Sequence, residues 1–203
     1  MSDKRRERGE ETKQKLVSGV FELAAREGLV GLTAGKLSKA TGIGKSTIFH
    51  HFSSLDELAI EAMKRWFDRT MEPMETGSHS YTSTDAYLEA LGEAMFGMTE
   101  SGDYFRATMT FFHKALFDES FREIFSPFLM SYMERERKVL ASLSGLPVEH
   151  QTLVEWTGLM AATLDGISMQ VAITQNPALG RAAWKQFSRM FVSALNDART
   201  QGE

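Results

Sequence analysis

Apolar residues recur at intervals of three and four positions along most of the chain, which is the spacing of one face of an α-helix. No stretch alternates apolar and polar residues over the length of a strand, and only four prolines interrupt the pattern. The pattern therefore predicts an all-α fold of about nine helices.

Turn and cap residues divide this pattern into separate helices. In the first third of the chain we expect helices at residues 10–26, 34–40, 45–52 and 55–73. A loop is expected at residues 73–84, where Gly, Ser, Thr and Pro replace the helical pattern. Later helices are expected at residues 83–100, 103–117, 119–144, 148–175 and 178–199. Because Ser126 and Pro127 resemble a helix start, residues 119–144 form either two helices or one kinked helix.

Charge is distributed unevenly along the chain. Residues 1–52 hold ten basic and six acidic residues, a net charge of +4, which leaves −8 for residues 53–203. A basic segment favours a polyanionic partner such as nucleic acid. Ordinary variation in surface charge explains the same numbers equally well.

Composition excludes several kinds of chemistry. The chain has no cysteine, so disulfides, thiolate metal ligands and thiol nucleophiles are excluded, which suits a cytoplasmic protein. No stretch approaches the roughly 20 apolar residues of a membrane-spanning helix, so we expect no membrane contact. We predict no cofactor and no catalytic residues, and a helical enzyme is the weakest alternative because no nucleophile or histidine–carboxylate motif is recognisable.

The sequence GIGKST, at residues 42–47, invites two phosphate-binding interpretations, and both fail. A phosphate loop needs glycine at the position of Lys39 and a preceding strand. A dinucleotide-binding fingerprint needs its third glycine at the position of Thr47. The adjacent His50 and His51 lie on different helix faces with no ligand four residues away, so no metal site is expected.

The same segment does match a helix-turn-helix. Leu37 and Ala40 would pack the first helix, Gly42 permits a tight turn, and Ile48 and Phe52 would secure the second helix to a core. The opposite face of the second helix carries small polar side chains and is free to lie in a major groove of DNA.

These residues carry a family resemblance. The sequence TKQKLVSGVFELAAREGLVGLTAGKLSKATGIGKSTIFHHFSSLDEL is similar, over its whole length, to the N-terminal domain of the TetR family of ligand-responsive transcriptional repressors. The resemblance implies a helix-turn-helix DNA-binding domain at residues 1–54. It also implies a larger helical domain for ligand binding and dimerisation at residues 55–203.

The resemblance further assigns DNA contacts to Thr33, Lys45, Ser46, Thr47, Phe49, His50 and His51. Two positions depart from the family: Phe49 stands where tyrosine is usual, and Leu55 stands where lysine is common. Each departure removes a phosphate contact, so we expect weak nonspecific DNA binding. The basic arm at residues 3–8 either compensates by reaching along the DNA or is a disordered tail.

Methionine and phenylalanine are frequent in the second half of the chain. Each one alone is typical of a core, but as a set they favour a deformable cavity for an apolar or aromatic ligand. The candidate ligand contacts are Phe105, Met109, Phe112, His113, Trp156, Thr163 and Asp165. A lone histidine such as His113 is more often a core residue than a ligand contact.

The last two predicted helices carry candidate dimer contacts. Gly158, Ala162 and Gly166 form a stripe of small residues spaced by four, which permits close approach of another helix. Trp184, Phe187 and Phe191 form an apolar stripe on the last helix. The resemblance implies that these two helices pair with their copies in the homodimer.

Together these features predict a homodimeric repressor that binds an inverted-repeat operator in double-stranded DNA. A small hydrophobic effector would release it by moving the two recognition helices off half-sites about 34–36 Å apart. The alternative is a DNA-organising protein of the same fold that binds no small ligand.

Overall fold

The computed structural model describes the backbone of residues 2–77 and 81–201 and the side chains of residue 4, residues 6–68 and residues 81–200. Every regular element in this part of the chain is an α-helix. The helices are α1 (Ser2–Glu27), α2 (Ala34–Thr41), α3 (Lys45–His51), α4 (Leu55–Gly77), α5 (Thr84–Ser101), α6 (Asp103–Phe117), α7 (Glu119–Ser144), α8 (Gln151–Thr174) and α9 (Pro177–Gln201). The prediction of an all-α fold with about nine helices is confirmed.

Helices α1 and α4 are longer than the sequence-based expectation, and α7 decides between two alternatives. Helix α1 begins at Ser2, so the basic arm is helical, as its Lys, Arg and Glu content permits. Helix α4 continues through Gly77, so the expected loop over residues 73–84 was wrong for residues 73–77. Residues 78–80 of that loop lie outside the described residues. Helix α7 is one helix with Pro127 inside it, which excludes the two-helix alternative.

Packing groups the helices into two units. Unit 1 contains residues 1–70 and 103–126, and unit 2 contains residues 71–102 and 127–203. Helix α6 therefore packs with α1 to α4. The functional boundary between residues 54 and 55 remains a prediction.

In unit 1 the helix-turn-helix packs against α1. Leu16, Val20, Leu37 and Ile48 are completely buried, and this shared core fixes the angle between α2 and α3. Gly19 lies where α1 and α2 approach most closely, because a Cβ at this position would stand 2.3 Å from Thr41 Cγ2.

Helix α6 crosses the C-terminal end of α1 through small side chains. Ala24, Ala25 and Ala107 form the buried contact. The Arg106 Nε–H donates a hydrogen bond to the Ala25 carbonyl at 2.9 Å. The Thr110 hydroxyl lies 3.2 Å from the Ala24 carbonyl oxygen and 2.8 Å from that of Arg106. Arg106 supplies a donor to a carbonyl that the end of α1 otherwise leaves without a partner, whereas the Ala24 carbonyl also accepts from the Gly28 N–H at 3.1 Å.

Helix α6 also contacts α4 within unit 1. The ring of Trp66 lies 5.8 Å from that of Tyr104 and 6.3 Å from that of Phe111, measured between centroids. At the start of α4, Asp56 forms an ion pair with Lys114, with 3.4 Å between Asp56 Oδ1 and Lys114 Nζ. Helix α6 is therefore attached to both helices that support the helix-turn-helix.

In unit 2, α5, α8 and α9 pack closely around one apolar core. The Trp184 Nε1–H donates a hydrogen bond to the Leu88 carbonyl at 2.9 Å, beside Gly92, where a Cβ would stand 2.2 Å from Nε1. Both Gly92 and Gly180 permit close packing of two helices. At Gly180, between α8 and α9, a Cβ would lie 2.3 Å from Val171 Cγ2. Within the described ranges, no helix is long and apolar enough to cross a membrane.

We predict that Gly19→Ala destabilises unit 1 by about 1–3 kcal/mol, because the added methyl overlaps Thr41 Cγ2. Thr41 cannot rotate away freely, since its hydroxyl donates to the Leu37 carbonyl at 2.8 Å. Urea unfolding followed by far-UV circular dichroism measures the loss.

Two variants control this measurement. Gly9→Ala on the same helix meets only His51 Cε1 at 4.0 Å and is expected to leave stability unchanged or raise it slightly. Adding Thr41→Ser to Gly19→Ala removes the overlapping methyl and keeps the hydroxyl, so part of the stability should return. Equal stabilities for Gly19→Ala and Gly9→Ala would contradict the assigned contact.

Candidate functional site

The turn between α2 and α3 is fixed by local hydrogen bonds. Thr33 caps α2 by accepting a hydrogen bond from the Lys36 N–H at 3.2 Å, as predicted. Gly42 ends α2 in the left-handed conformation with φ 71°, which glycine adopts without strain. The Ile43 N–H donates to the buried Thr41 hydroxyl at 3.3 Å. Sequence spacing alone therefore located this turn correctly.

Helix α3 has one buried and one exposed face. Ile48 is completely buried, and Phe52 caps the helix and is also buried. The predicted DNA contacts Lys45, Ser46, Thr47, Phe49 and His50 are all exposed. Phe49 is 52% exposed, so its ring is not part of the apolar core. The exposed face thus consists of small polar side chains beside one aromatic ring, as a groove-reading helix requires.

Thr33 and Lys45 converge from two helices. A Cβ built on Gly35 would lie 3.8 Å from both the Thr33 Oγ1 and the Lys45 Nζ, so both polar groups lie next to this glycine. Both side chains are exposed. A hydroxyl and an ammonium that lie on opposite sides of one glycine can contact one phosphate or two neighbouring phosphates.

The two histidines have different environments. His50 is exposed, whereas His51 is half-buried near Gly9 of α1. Desolvation, followed by the charges of His50 and Lys13, lowers the pKa of His51 and favours its neutral ring. A DNA contact by His51 remains a prediction, and its present neighbours belong to α1.

Hydrogen bonds of Ser53 and Ser54 with Glu57 cap the start of α4. The Ser54 hydroxyl accepts a hydrogen bond from the Glu57 N–H at 3.0 Å. Glu57 in turn accepts from the Ser53 N–H at 2.6 Å, which completes a reciprocal cap. The Ser53 hydroxyl also donates to the Glu57 carboxylate, and this hydrogen bond, followed by that from the Ser53 N–H, lowers the pKa of Glu57.

The candidate effector contacts on α6 lie in unit 1 and do not share one environment. Phe112 packs on Phe125, with ring centroids 4.5 Å apart, and Phe105 is half-buried. Met109 and His113 instead line a groove of about 280 Å³ beside the α1–α2 loop. The other residues of this groove are Glu27, Gly28, Leu29, Val30, Thr110 and Lys114.

The candidate effector contacts on α8 lie in unit 2. The Trp156 ring stacks on Phe191 at a centroid distance of 5.3 Å, so Trp156 packs against the apolar core. Thr163 is half-buried. Asp165 is exposed, yet desolvation alone raises its pKa to about 6.

The candidate dimer contacts divide by burial. Trp184, Phe187 and Phe191 lie in the core of unit 2 and pack against their own chain. Ala162 is exposed, and a Cβ built on Gly158 or Gly166 meets no atom of the described chain within 4 Å. The small-residue stripe is therefore accessible to a partner, whereas contacts of the three aromatic residues with a partner remain a prediction.

Sequence reasoning missed a polar cluster inside unit 2. Glu136 is 1% exposed, and its Oε2 accepts a hydrogen bond from the Tyr87 hydroxyl at 2.5 Å. Its Oε1 is buried without a hydrogen-bond partner among the described residues. Burial raises the pKa of Glu136 to about 7, although Tyr87 and Arg135 act in the opposite direction. A glutamate on the apolar face of α7 was the one sequence signal for this cluster.

Tyr132 lies one helical turn before Glu136 on α7. Burial raises the pKa of Tyr132 well above its usual value, and the nearby charges of Glu136 and Asp165 raise it further. The described residues contain no group of three or more histidine, aspartate or glutamate side chains that could hold a metal ion.

Comparison with known proteins identifies the N-terminal segment. Residues 16–62 match the model of the family described as bacterial regulatory proteins, tetR family. No curated protein sequence matches the chain significantly.

Solved structures share the fold at low sequence identity. A transcriptional regulator from Rhodococcus sp. Rha1 has a TM-score of 0.73 at 19% identity, covering 91% of this chain and 96% of its own. A putative transcriptional regulator from Saccharomonospora viridis in complex with choline has a TM-score of 0.74 at 16% identity, covering 89% and 95%. The regulator FadR from Bacillus subtilis in complex with stearoyl-CoA has a TM-score of 0.69 at 15% identity, covering 86% and 97%.

These matches confirm the resemblance drawn from the sequence and the fold that it implies. Regulators of this kind are transcription factors and not enzymes, in agreement with the sequence-based prediction.

We predict that stability falls as pH rises through 7 because of Glu136. Its pKa is about 7 in the folded chain and about 4.5 unfolded, so its stabilising effect is complete below pH 4.5 and lost at higher pH. Between pH 5 and 8 the loss is about 3 kcal/mol. Glu136→Gln should remove this part of the pH dependence, as measured by urea unfolding at each pH.

The groups around Glu136 are Tyr87 on α5 and Arg135 and Tyr132 on α7. The matched control is Glu134→Gln, an exposed position on the same helix that pairs with Lys138 at 2.7 Å. It should keep the wild-type decline above pH 5. An identical pH dependence in Glu136→Gln and the wild type would show that Glu136 titrates normally.

Proposed function

We propose that this DNA-binding transcriptional regulator of the TetR family is a homodimeric repressor, released from an inverted-repeat operator by a small molecule. The single observation that carries the DNA-binding role is the exposed face of α3 beside the convergent Thr33 and Lys45. Helix α3 lies in the major groove, where Ser46 and Thr47 contact base edges and Lys45 contacts phosphate.

The dimer forms through the outward face of α8. Leu159, Met169 and Ile173 are exposed on the same helix as the small-residue stripe, and Ile173 leaves 75% of its surface in solvent. An apolar surface of this kind on a soluble helix marks a contact with a partner. Trp184, Phe187 and Phe191 support this face from inside by packing α9 against α8. The two-fold axis of the dimer then matches the symmetry of the operator.

Effector binding acts on DNA through α6. This helix is hydrogen-bonded to the end of α1 and ion-paired with the start of α4. A displacement of α6 therefore disturbs both supports of the recognition helix, and a coupling of about 1–3 kcal/mol is expected. Two structural neighbours were determined with choline and with stearoyl-CoA, which supports effector binding by this fold.

The sequence-based effector contacts on α6 and on α8 remain predictions. An apolar or aromatic effector suits the side chains of both groups, and Asp165 is the accessible charged group among them. A DNA-organising protein of the same fold, without an effector, is the second candidate, and the first experiment below distinguishes the two.

We expect selection from random duplex DNA at fixed salt to enrich one inverted repeat with the intact protein. A variant carrying Lys45→Ala and Thr47→Ala should fail to select it, because each lost contact costs about 1–3 kcal/mol of discrimination or binding. Lys185→Ala, an exposed lysine of α9, removes the same charge and should select the repeat normally. Salt-sensitive binding without any enriched sequence would favour the DNA-organising alternative.

We also predict that Phe49→Tyr strengthens operator binding by about tenfold, because the added hydroxyl can donate to a phosphate at an exposed position. Fluorescence anisotropy with a labelled operator measures the affinity. Phe117→Tyr adds the same hydroxyl at an exposed site of α6 and should leave the affinity unchanged. An unchanged affinity for Phe49→Tyr would mean that this ring does not face the backbone of the DNA.

A further inference from the structure

Unit 2 contains a polar pocket that the proposed function does not use. It has a volume of about 180 Å³ and lies where the start of α5, the end of α7 and the last turns of α9 meet. None of the candidate effector contacts on α6 or α8 lines it. We call it the α5 pocket, and its lining consists of residues 82–85, 143–144, 192, 195–196 and 199.

Two hydroxyl groups in the α5 pocket are buried and poorly paired. Thr84 is only 8% exposed, and its hydroxyl has no hydrogen-bond partner among the described residues. Ser144 is also buried, and its hydroxyl lies 3.5 Å from the Ala141 carbonyl oxygen and 3.4 Å from the Leu146 nitrogen. Both distances are long for hydrogen bonds. Because buried polar groups are normally hydrogen-bonded, these hydroxyls are available to a polar group that enters the pocket.

The start of α5 adds backbone donors to the same pocket. Ser83 caps the helix by accepting a hydrogen bond from the Ala86 N–H at 3.2 Å, and its carbonyl accepts from the Tyr87 N–H at 3.1 Å. The N–H groups of Thr84 and Asp85 precede these bonds and have no acceptor in the part of the chain that the structure describes. Unpaired N–H groups at a helix N-terminus favour an oxyanion such as a carboxylate.

Side chains of both charges line the α5 pocket. Arg199 comes from α9 and Asp85 from α5, and neither forms an ion pair within the described ranges. Their charged groups therefore stay apart, although they share one small pocket. A ligand that carries both a carboxylate and an ammonium group could pair with the guanidinium and with the aspartate at once.

The lining favours such a zwitterion over a ligand of one charge. A phosphate group carries close to two negative charges and would lie beside Asp85 as well as Arg199. A simple amine would leave the first N–H groups of α5 without an acceptor. The remaining wall consists of Leu143, Val192 and Leu195, which suit an aliphatic group.

We propose that the α5 pocket binds an α-amino acid with an aliphatic side chain. The carboxylate of the ligand accepts hydrogen bonds from Arg199 and from the N–H and hydroxyl groups at the start of α5. Its ammonium group pairs with Asp85. The proposal goes beyond the proposed function and does not depend on it, because the pocket shares no residue with the DNA-binding face or with the candidate effector contacts.

The test compares three probes of similar shape on the full-length protein without DNA. Leucine carries both charges, isocaproate lacks the ammonium group and isoamylamine lacks the carboxylate. Isothermal titration calorimetry at neutral pH should show leucine binding at least about tenfold more tightly than either other probe, the ratio expected for one charge-assisted hydrogen bond. Equal affinities for leucine and isocaproate, or no saturable binding of leucine, would overturn the proposal.

Charge variants locate the two ends of the ligand. Asp85→Asn should weaken leucine binding about tenfold without weakening isocaproate binding, whereas Arg199→Gln should weaken the binding of both probes. Arg189→Gln removes an exposed arginine of α9 that does not line the pocket and should bind leucine like the wild type. Equal losses in Arg189→Gln and Arg199→Gln would place the ligand outside the α5 pocket and overturn the proposal.

Thr84 separates ligand binding from folding. Thr84→Val replaces the hydroxyl with a methyl group of similar size, and stability in urea should not fall because that hydroxyl has no partner to lose. Leucine binding should nevertheless weaken about tenfold, since a hydrogen bond to the ligand carboxylate is lost. Ser83→Ala is the structural control, because it removes the cap of α5 and should lower stability. A Thr84→Val variant that loses stability yet binds leucine normally would assign the hydroxyl to folding and overturn the proposal.

Discussion

The junction between α6 and the C-terminal end of α1 is the constraint on which unit 1 depends. A helix ends with carbonyls that lack partners, and at α1 the guanidinium of Arg106 supplies a donor to one of them. The alanines at this crossing bring the two backbones close enough for that hydrogen bond. Because α1 also forms the core under α2 and α3, the position of α3 depends on α6, which is far from it in the sequence.

Unit 2 follows a different balance of forces. Its apolar core is packed closely at Gly92 and Gly180, where any side chain would displace a neighbour. The same unit buries a glutamate with an unsatisfied oxygen, which costs stability unless another molecule compensates it. Unit 2 thus combines close packing at Gly92 and Gly180 with a buried carboxylate oxygen of Glu136 that has no hydrogen-bond partner among the described residues.

Local spacing explains which parts of this structure could be predicted from sequence. Thr33 and Gly42 act on residues within four positions, so the helix-turn-helix was predicted correctly, and the family resemblance of this segment agrees with the match over residues 16–62. The contact of Gly19 with Thr41 and the hydrogen bond from Tyr87 to Glu136 join distant segments and leave no periodic signal. The aromatic stripe on α9 illustrates the same limit, because periodicity identifies an apolar face and does not say whether its own chain or a partner covers it. The assignments of DNA, effector and dimer contacts therefore remain predictions.

The membership of α6 in unit 1 also bears on protein engineering. Chimeric regulators are commonly conceived as a DNA-binding module joined to a foreign sensor at a point between the two domains. In this chain, a module cut after α4 would lack residues 103–126 and would expose Ala24, Ala25 and the carbonyl that Arg106 satisfies. A fragment that keeps the packing of unit 1 must consequently be assembled from residues 1–70 and 103–126, so a foreign segment has to be joined around α6 and not simply downstream of α4.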